Sequence, residues 1–387
     1  MNSTFKSIYR ILAIFIMTIL LSCTRQDPHS LFLDKFPDKG EKTRLVIFWP
    51  SAWSVEALQK LDERGLFPLD GIEVIGVFHE KEKTDYEEAA RLALDRKLDW
   101  IRFYPIKGEL NKDNLFRKNP CSDQFERIFK QSDGMIFFGG WDIPPYTYQE
   151  KTSLLTQINT TYRHFVELSA LFHLLGGYQD PDYQPLLTQK PDYPILGICL
   201  GSQTMNVATG GTMIQDIWFY QYGKTTYDDV LTLDKNQWHN NPWARLYPEK
   251  KLIRYNMHAI RLSDSGKFVR DFGFSPDVHP YVVSSHHQMY NQPGENIRFI
   301  ATSMDGKVLE GLEHKLFPNV LGIQFHIEFP VLWDDTARVR FTPTDTVGVN
   351  LLQFLKNHPP SLEFNKKIWQ WFRESLIVGV NYQSPKN

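Results

Sequence analysis

Pro194-Ile195-Leu196-Gly197-Ile198-Cys199-Leu200-Gly201-Ser202-Gln203 is a short apolar run that breaks into a glycine–x–cysteine–x–glycine turn. A run of this length reads as a buried strand, and the paired glycines mark a sharp passage from strand into helix. Larger side chains at the two glycine positions would collide with neighbouring backbone. The turn puts the Cys199 sulfur at a helix N-terminus, where the positive dipole end favours thiolate. It also leaves the Leu200 N–H free to face an oxyanion. A tight turn around a merely buried cysteine fits the same pattern, so the segment needs a partner elsewhere.

Upstream, the chain alternates strand and helix signals. Strands are expected at 44–49, 72–78, 100–104, 134–138 and 194–198. Helices are expected over 55–64, from Thr84 to about Lys97, around 125–129 and over roughly 154–175. Thr84 and Glu87 have the spacing of a capping box, and Gly65 and Gly176-Gly177 supply stops. Alternation of this kind predicts an α/β fold, a mostly parallel sheet with helices on both faces. After Gly211 the texture changes. Residues 216–250 are crowded with aromatic and polar side chains, which suit either a substrate lid or packing over the domain edge. Runs at 281–283, 297–301, 308–312 and 320–325 are spaced for hairpins or a meander, and helices are expected at 347–355 and 368–376.

The partner is Gly322-Ile323-Gln324-Phe325-His326-Ile327-Glu328. In an extended segment, side chains two apart share a face, so Glu328 can fix the tautomer and orientation of His326. A His-x-Glu is common by chance. Its joint occurrence with the elbow cysteine is not, and together they form a cysteine triad.

These two segments, followed in the first case by Gly210-Gly211, resemble the nucleophile and His-x-Glu segments of class I glutamine amidotransferase-like proteins. Asp133-Gly134-Met135-Ile136-Phe137-Phe138-Gly139-Gly140-Trp141-Asp142 resembles the strand and glycine turn that complete their oxyanion hole. Val283-Ser284-Ser285-His286-His287-Gln288 resembles a segment of the gamma-glutamyl hydrolase branch, including gamma-glutamyl-GABA hydrolases. Phe329-Pro330-Val331-Leu332-Trp333 is nearer to secreted folate gamma-glutamyl hydrolases. The resemblance covers roughly residues 44–335 and implies a flavodoxin-like fold. It implies Cys199 as nucleophile, His326 as general base and acid, and Glu328 as orienter. Gly140 and Leu200 would supply the oxyanion N–H groups, Gln203 would lie near the glutamyl moiety, and His286, His287 and Gln288 would line the site. Ile327 stands where the family usually has proline, Val283 where the branch often has Asn, and Trp141 at a frequent glycine position. No cofactor is expected, and no metal, because no ligand-spaced cluster accompanies the His286-His287 pair. Asp142 and Glu167 are read as solvated loop and helix positions.

At the N-terminus, Lys6 and Arg10 precede an apolar run from Ile11 to Leu21, right for a signal-peptide core and short for a membrane span. Leu20-Leu21-Ser22-Cys23 resembles a bacterial lipoprotein processing box, with an ordinary secretory signal and an incidental Cys23 as the alternative. On the first reading, residues 1–22 are removed, Cys23 is lipidated, 23–43 form a tether, 44–335 the catalytic domain, and 336–387 a C-terminal extension. Loss of Lys6 and Arg10 would take the net charge from −2 to about −4, so nothing favours nucleic acid. With Cys23 in the anchor, Cys121 and Cys199 remain of the three cysteines, and one bridge between them is arithmetically possible.

Two function classes follow. One is a lipid-anchored, extracytoplasmic cysteine hydrolase of a small gamma-glutamyl substrate, since an ammonia-channelling synthase makes little sense away from ATP. The other is a non-catalytic lipid-anchored binding protein on the same fold.

Overall fold

Twelve strands order the chain in the computed structural model, which describes residues 27–381. They are β1 (Thr43–Phe48), β2 (Ile72–His79), β3 (Ile101–Ile106), β4 (Gly134–Phe137), β5 (Ile195–Ile198) and β6 (Met213–Ile214). There follow β7 (Asn256–Leu262), β8 (Tyr281–Ser284), β9 (Met289–Tyr290), β10 (Ile297–Ser303), β11 (Leu309–His314) and β12 (Val320–Ile323). Ten of them form one sheet in the order β3-β2-β1-β4-β5-β12-β11-β10-β7-β8, and β6 pairs with β9 apart from it. The half from β3 to β12 is parallel, as the alternating sequence requires. Beyond β12 the strands run antiparallel, the meander that the later apolar runs predict.

Helices cover both faces. The main ones are α1 (Ala52–Glu63), α2 (Tyr86–Asp95), α3 (Ser122–Lys130), α4 (Thr161–Leu175), α5 (Leu200–Ala208), α6 (Leu351–Lys356) and α7 (Pro359–Asn381). One core packs α1, α2, α6 and α7 on the sheet, and the other packs α3, α4 and α5. Asp85 caps α2 by accepting the Glu88 N–H at 3.0 Å, one residue beyond the expected Thr84 box. The helix expected from 154 begins only at Thr161. Residues 216–250 hold short helical turns around a small cluster of Ile217, Trp218, Val230 and Trp238.

The C-terminal helix is not an appendage. Phe364, Ile368, Trp369, Phe372 and Leu376 of α7 are fully buried in the same core as β1. Burying each such side chain is worth about 1.5–3 kcal/mol. No helix among the described residues is long and apolar enough to cross a membrane. The signal-peptide and Cys23 readings lie outside the described residues.

Register decides where the chemistry sits. Strands β5 and β12 are parallel neighbours with Ile198 opposite Ile323, and the Cys199 N–H donates to the Ile323 carbonyl at 2.8 Å. The elbow and the His-x-Glu segment therefore leave the sheet side by side, at the carboxyl ends of adjacent strands, where open α/β sheets place their ligands.

Candidate active site

Cys199 adopts φ 52° and ψ −107°, a region that costs a non-glycine residue about 1–3 kcal/mol, and it is the N-cap of α5. Its flanking glycines are there for space. A Cβ on Gly197 would come within 2.8 Å of the Gly201 and Ser202 backbone, and one on Gly201 within 2.0 Å of the Phe137 carbonyl oxygen. Leu200 opens the helix, so its N–H has no intrahelical acceptor. The Gly140 N–H likewise donates no hydrogen bond among the described residues. The sulfur is nearly enclosed, and Gln324 offers it a side-chain N–H at 3.7 Å.

His326 continues from β12 and is tied to β8 by its N–H, which donates to the Val283 carbonyl at 2.8 Å. Its Nδ1 lies 2.6 Å from Glu328 Oε1, while Phe325 and Ile327 point the other way into the core. Alternation along the extended segment beyond β12 has thus put base and carboxylate on one face. The Phe329 ring stacks on the imidazole at 4.0 Å between centroids. Burial opposes an imidazolium here, but Glu328 and Cys199 outweigh it and raise the His326 pKa to about 10. An ideal Cβ at Gly139 would lie 3.0 Å from His326 Cε1 and 3.4 Å from Cys199 Cβ, so this glycine lets all three segments close together.

Comparison with known families matches residues 116–328 to Peptidase C26. The chain belongs to that family. The glutamine amidotransferase-like protein RP404 of Rickettsia prowazekii is 28% identical over 228 residues, covering 54% of this chain and 74% of that protein. The glutamine amidotransferase-like protein YvdE of Lactococcus lactis is 27% identical over 197 residues, 51% of this chain and 66% of its own. A solved glutamine amido transferase from Methylobacillus flagellatus is similar at 12% identity with a TM-score of 0.39, covering 88% of this chain and 95% of that one.

In this Peptidase C26 member the glycine turn is held from beneath. Arg163 of α4 donates from Nη2 to the Phe138 and Gly139 carbonyls at 3.0 and 2.9 Å. Its Nε pairs with Glu167 at 2.9 Å, and its guanidinium lies 3.9 Å from the centre of the Trp49 ring. Glu167 is therefore a fully buried partner rather than a solvated helix residue. Asp142 is also buried, and both its oxygens lie about 3 Å from His287 Nε2 (3.0 and 3.1 Å).

The 283–288 segment divides its side chains. His287 sits between Asp142 and Asp216, and burial is outweighed by these two carboxylates, which raise its pKa to about 9. It lines a cavity of about 810 Å³ between the 216–250 segment and residues 152–157, together with Trp218, Arg245 and Arg254. Gln288 donates to the Gln215 carbonyl at 3.1 Å. Gln203 donates to the Gln288 carbonyl at 3.3 Å and to Gln324 Oε1 at 3.2 Å. Gln324, which the sequence reading passed over, thus links the thiol to Gln203. His286 departs from its expected place. Adjacent residues of an extended segment face opposite ways, so it is turned from the cavity and buried beside Glu310. Cys121 is buried and unbridged, as is Cys199, and burial pushes the Cys121 thiol up to about 12.

Proposed function

We propose that this Peptidase C26 member is a cysteine hydrolase of gamma-glutamyl amides or peptides, held outside the cytoplasm by a lipid on Cys23. The reading rests chiefly on one observation: a strained elbow cysteine beside a His326–Glu328 pair at 2.6 Å, with the Leu200 and Gly140 N–H groups uncommitted. The anchor rests on residues 6–28 of the sequence alone.

The Cys199 thiolate attacks the γ-carbonyl carbon of the substrate, forming a C–S bond. Charge moves to the carbonyl oxygen, where the two N–H groups receive it; one such donor is typically worth about 10²–10³ in rate. The tetrahedral species collapses with cleavage of the C–N bond as His326 gives its proton to the leaving amine. Water, losing a proton to His326, then attacks the thioester, and the C–S bond breaks to release the γ-carboxylate. Lys224, Arg245 and Arg254 against the single carboxylate of Asp216 give the cavity beside His287 a cationic lining, which suits a carboxylate-bearing part of the substrate, although no triad residue lines that cavity.

The test is release of glutamate and amine from a panel of gamma-glutamyl amides and peptides by the full chain, beside Cys199→Ala. Release that vanishes in the variant supports the hydrolase. A folded protein that turns over nothing on the panel, and whose Cys199 takes up no glutamine-mimicking electrophile, would overturn it. Palmitate labelling lost in Cys23→Ala tests the anchor separately.

A further inference from the structure

Away from the triad, His239, His258, His286 and Glu310 converge, fully buried or nearly so, with one donor atom from each within 4.8 Å of all the others. His239 Nδ1 lies 3.1 Å and His258 Nε2 3.5 Å from Glu310 Oε1, and His286 Nε2 lies 3.6 Å from Oε2. None of these contacts has hydrogen-bond geometry, so both carboxylate oxygens and all three nitrogens lack a partner. An orphaned buried polar group is costly, and five facing one another are not an accident of packing.

The outer nitrogens explain which atoms face inward. His286 Nδ1 lies 2.9 Å from the Gln288 carbonyl and His258 Nδ1 3.1 Å from the Ala259 carbonyl. A carbonyl only accepts, so both Nδ1 atoms carry the proton and both Nε2 atoms present lone pairs to the centre. No Lys or Arg pairs with Glu310 among the described residues. A single proton on His239 would satisfy one pair and leave the other two Nε2 atoms and the second oxygen opposed. A cation takes a lone pair from each of the four residues at once, leaving only His239 Nε2 and one Glu310 oxygen of this group without a partner among the described residues.

We propose that His239, His258, His286 and Glu310 bind one divalent transition-metal ion, zinc by preference. Three imidazoles and a carboxylate form a borderline-soft donor set for such an ion, and a tetrahedral ion with bonds near 2.1 Å needs donors about 3.4 Å apart. The observed contacts to Glu310 bracket that spacing. Four protein ligands and full burial leave no open position, so the ion is structural. It joins β7 and β11 to two further segments: the loop that carries His287 and Gln288, and the 216–250 segment with its short helical turns. There His239 holds a left-handed φ of 54°, with its carbonyl accepting from His286 N and Ser284 Oγ. The ion would thus fasten the wall of the cavity to the sheet.

The test is metal analysis of the full chain, purified without a histidine tag or chelator. About one zinc per chain is expected, falling below about 0.1 in Glu310→Gln and His258→Ala. Should those variants not fold, X-ray absorption of the wild type showing three imidazoles and one oxygen at about 2.0–2.1 Å carries the same weight. One equivalent of a different divalent metal keeps the site and overturns the choice of zinc. Wild type that contains under about 0.1 metal, and whose melting temperature does not rise when zinc is added, overturns the site. Neither readout depends on turnover, so the result stands apart from the hydrolase reading.

Discussion

Arg163→Met should cost the fold about 5 kcal/mol, and the loss should be largely reversible by a second substitution. Arg163 is 2% exposed and Glu167 not at all, 2.9 Å apart. Removing the cation leaves a buried carboxylate unpaired, worth about 3–5 kcal/mol. It also strips the Phe138 and Gly139 carbonyls of a charged donor, each worth about 1–3 kcal/mol. Protonation of Glu167 limits the first term, because burial already raises its pKa and only Arg163 counters it. The sign follows from that. A carboxyl whose folded pKa lies above its unfolded value favours folding at low pH and loses that benefit as pH rises through the folded pKa. The deficit of Arg163→Met should therefore shrink between pH 8 and pH 5. In Arg163→Met/Glu167→Met the buried charge is gone, and only the two carbonyls remain, about 2 kcal/mol. Denaturant unfolding of the four proteins at both pH values gives the coupling. Strictly additive losses, or a deficit independent of pH, would refute the reasoning. The double variant should still turn over poorly, since the Gly139-Gly140 turn then lacks the two hydrogen bonds from Arg163.

Glu328→Gln should lower kcat/KM by about 10²–10⁴ through loss of the fixed tautomer and charge. Wild-type activity should fall as pH rises through about 10, where His326 loses the proton it must give, and Glu328→Gln should move that limb to lower pH; pH–rate profiles test both. The raised His326 pKa also adds stability that is fully present below its unfolded value and lost through about 10. At pH 8, iodoacetamide should modify Cys199 and spare Cys121, whose thiol is buried and held near 12, as peptide mass mapping will show. Gly201→Ala should abolish soluble expression, because its Cβ would meet backbone at 2.0 Å; a folded, active variant would contradict the elbow packing.

The parallel half of the sheet was legible because its strands are buried on both faces and read as unbroken apolar runs. The elbow and His-x-Glu segments were legible because their geometry needs particular residues at fixed spacing. Strand β7 was not. Asn256 and His258 occupy inward positions where an apolar alternation would be expected, since their partners are polar. The histidine–glutamate cluster escaped for the same reason: its members come from one loop segment, β7, the turn after β8, and β11, and only antiparallel pairing gathers them. Asp142 and Glu167 looked solvated because their partners, His287 and Arg163, lie across the fold or one helical turn away. The register of β5 against β12, which brings Cys199 to the His-x-Glu segment, is likewise a long-range fact.

The carbonyl of Ile327, between the paired His326 and Glu328, accepts two indole N–H groups: Trp333 at 2.7 Å and Trp369 of α7 at 3.1 Å. That bracing makes the setting of the backbone between His326 and Glu328 depend on a residue that is synthesised after both. Cys199, His326 and Glu328 have all been synthesised once the ribosome passes residue 328, yet Trp369 is still to come. Until α7 closes over the sheet, the backbone between base and carboxylate lacks one of its two anchors. A chain without α7 would carry Cys199, His326 and Glu328 with the backbone between base and carboxylate held by Trp333 alone.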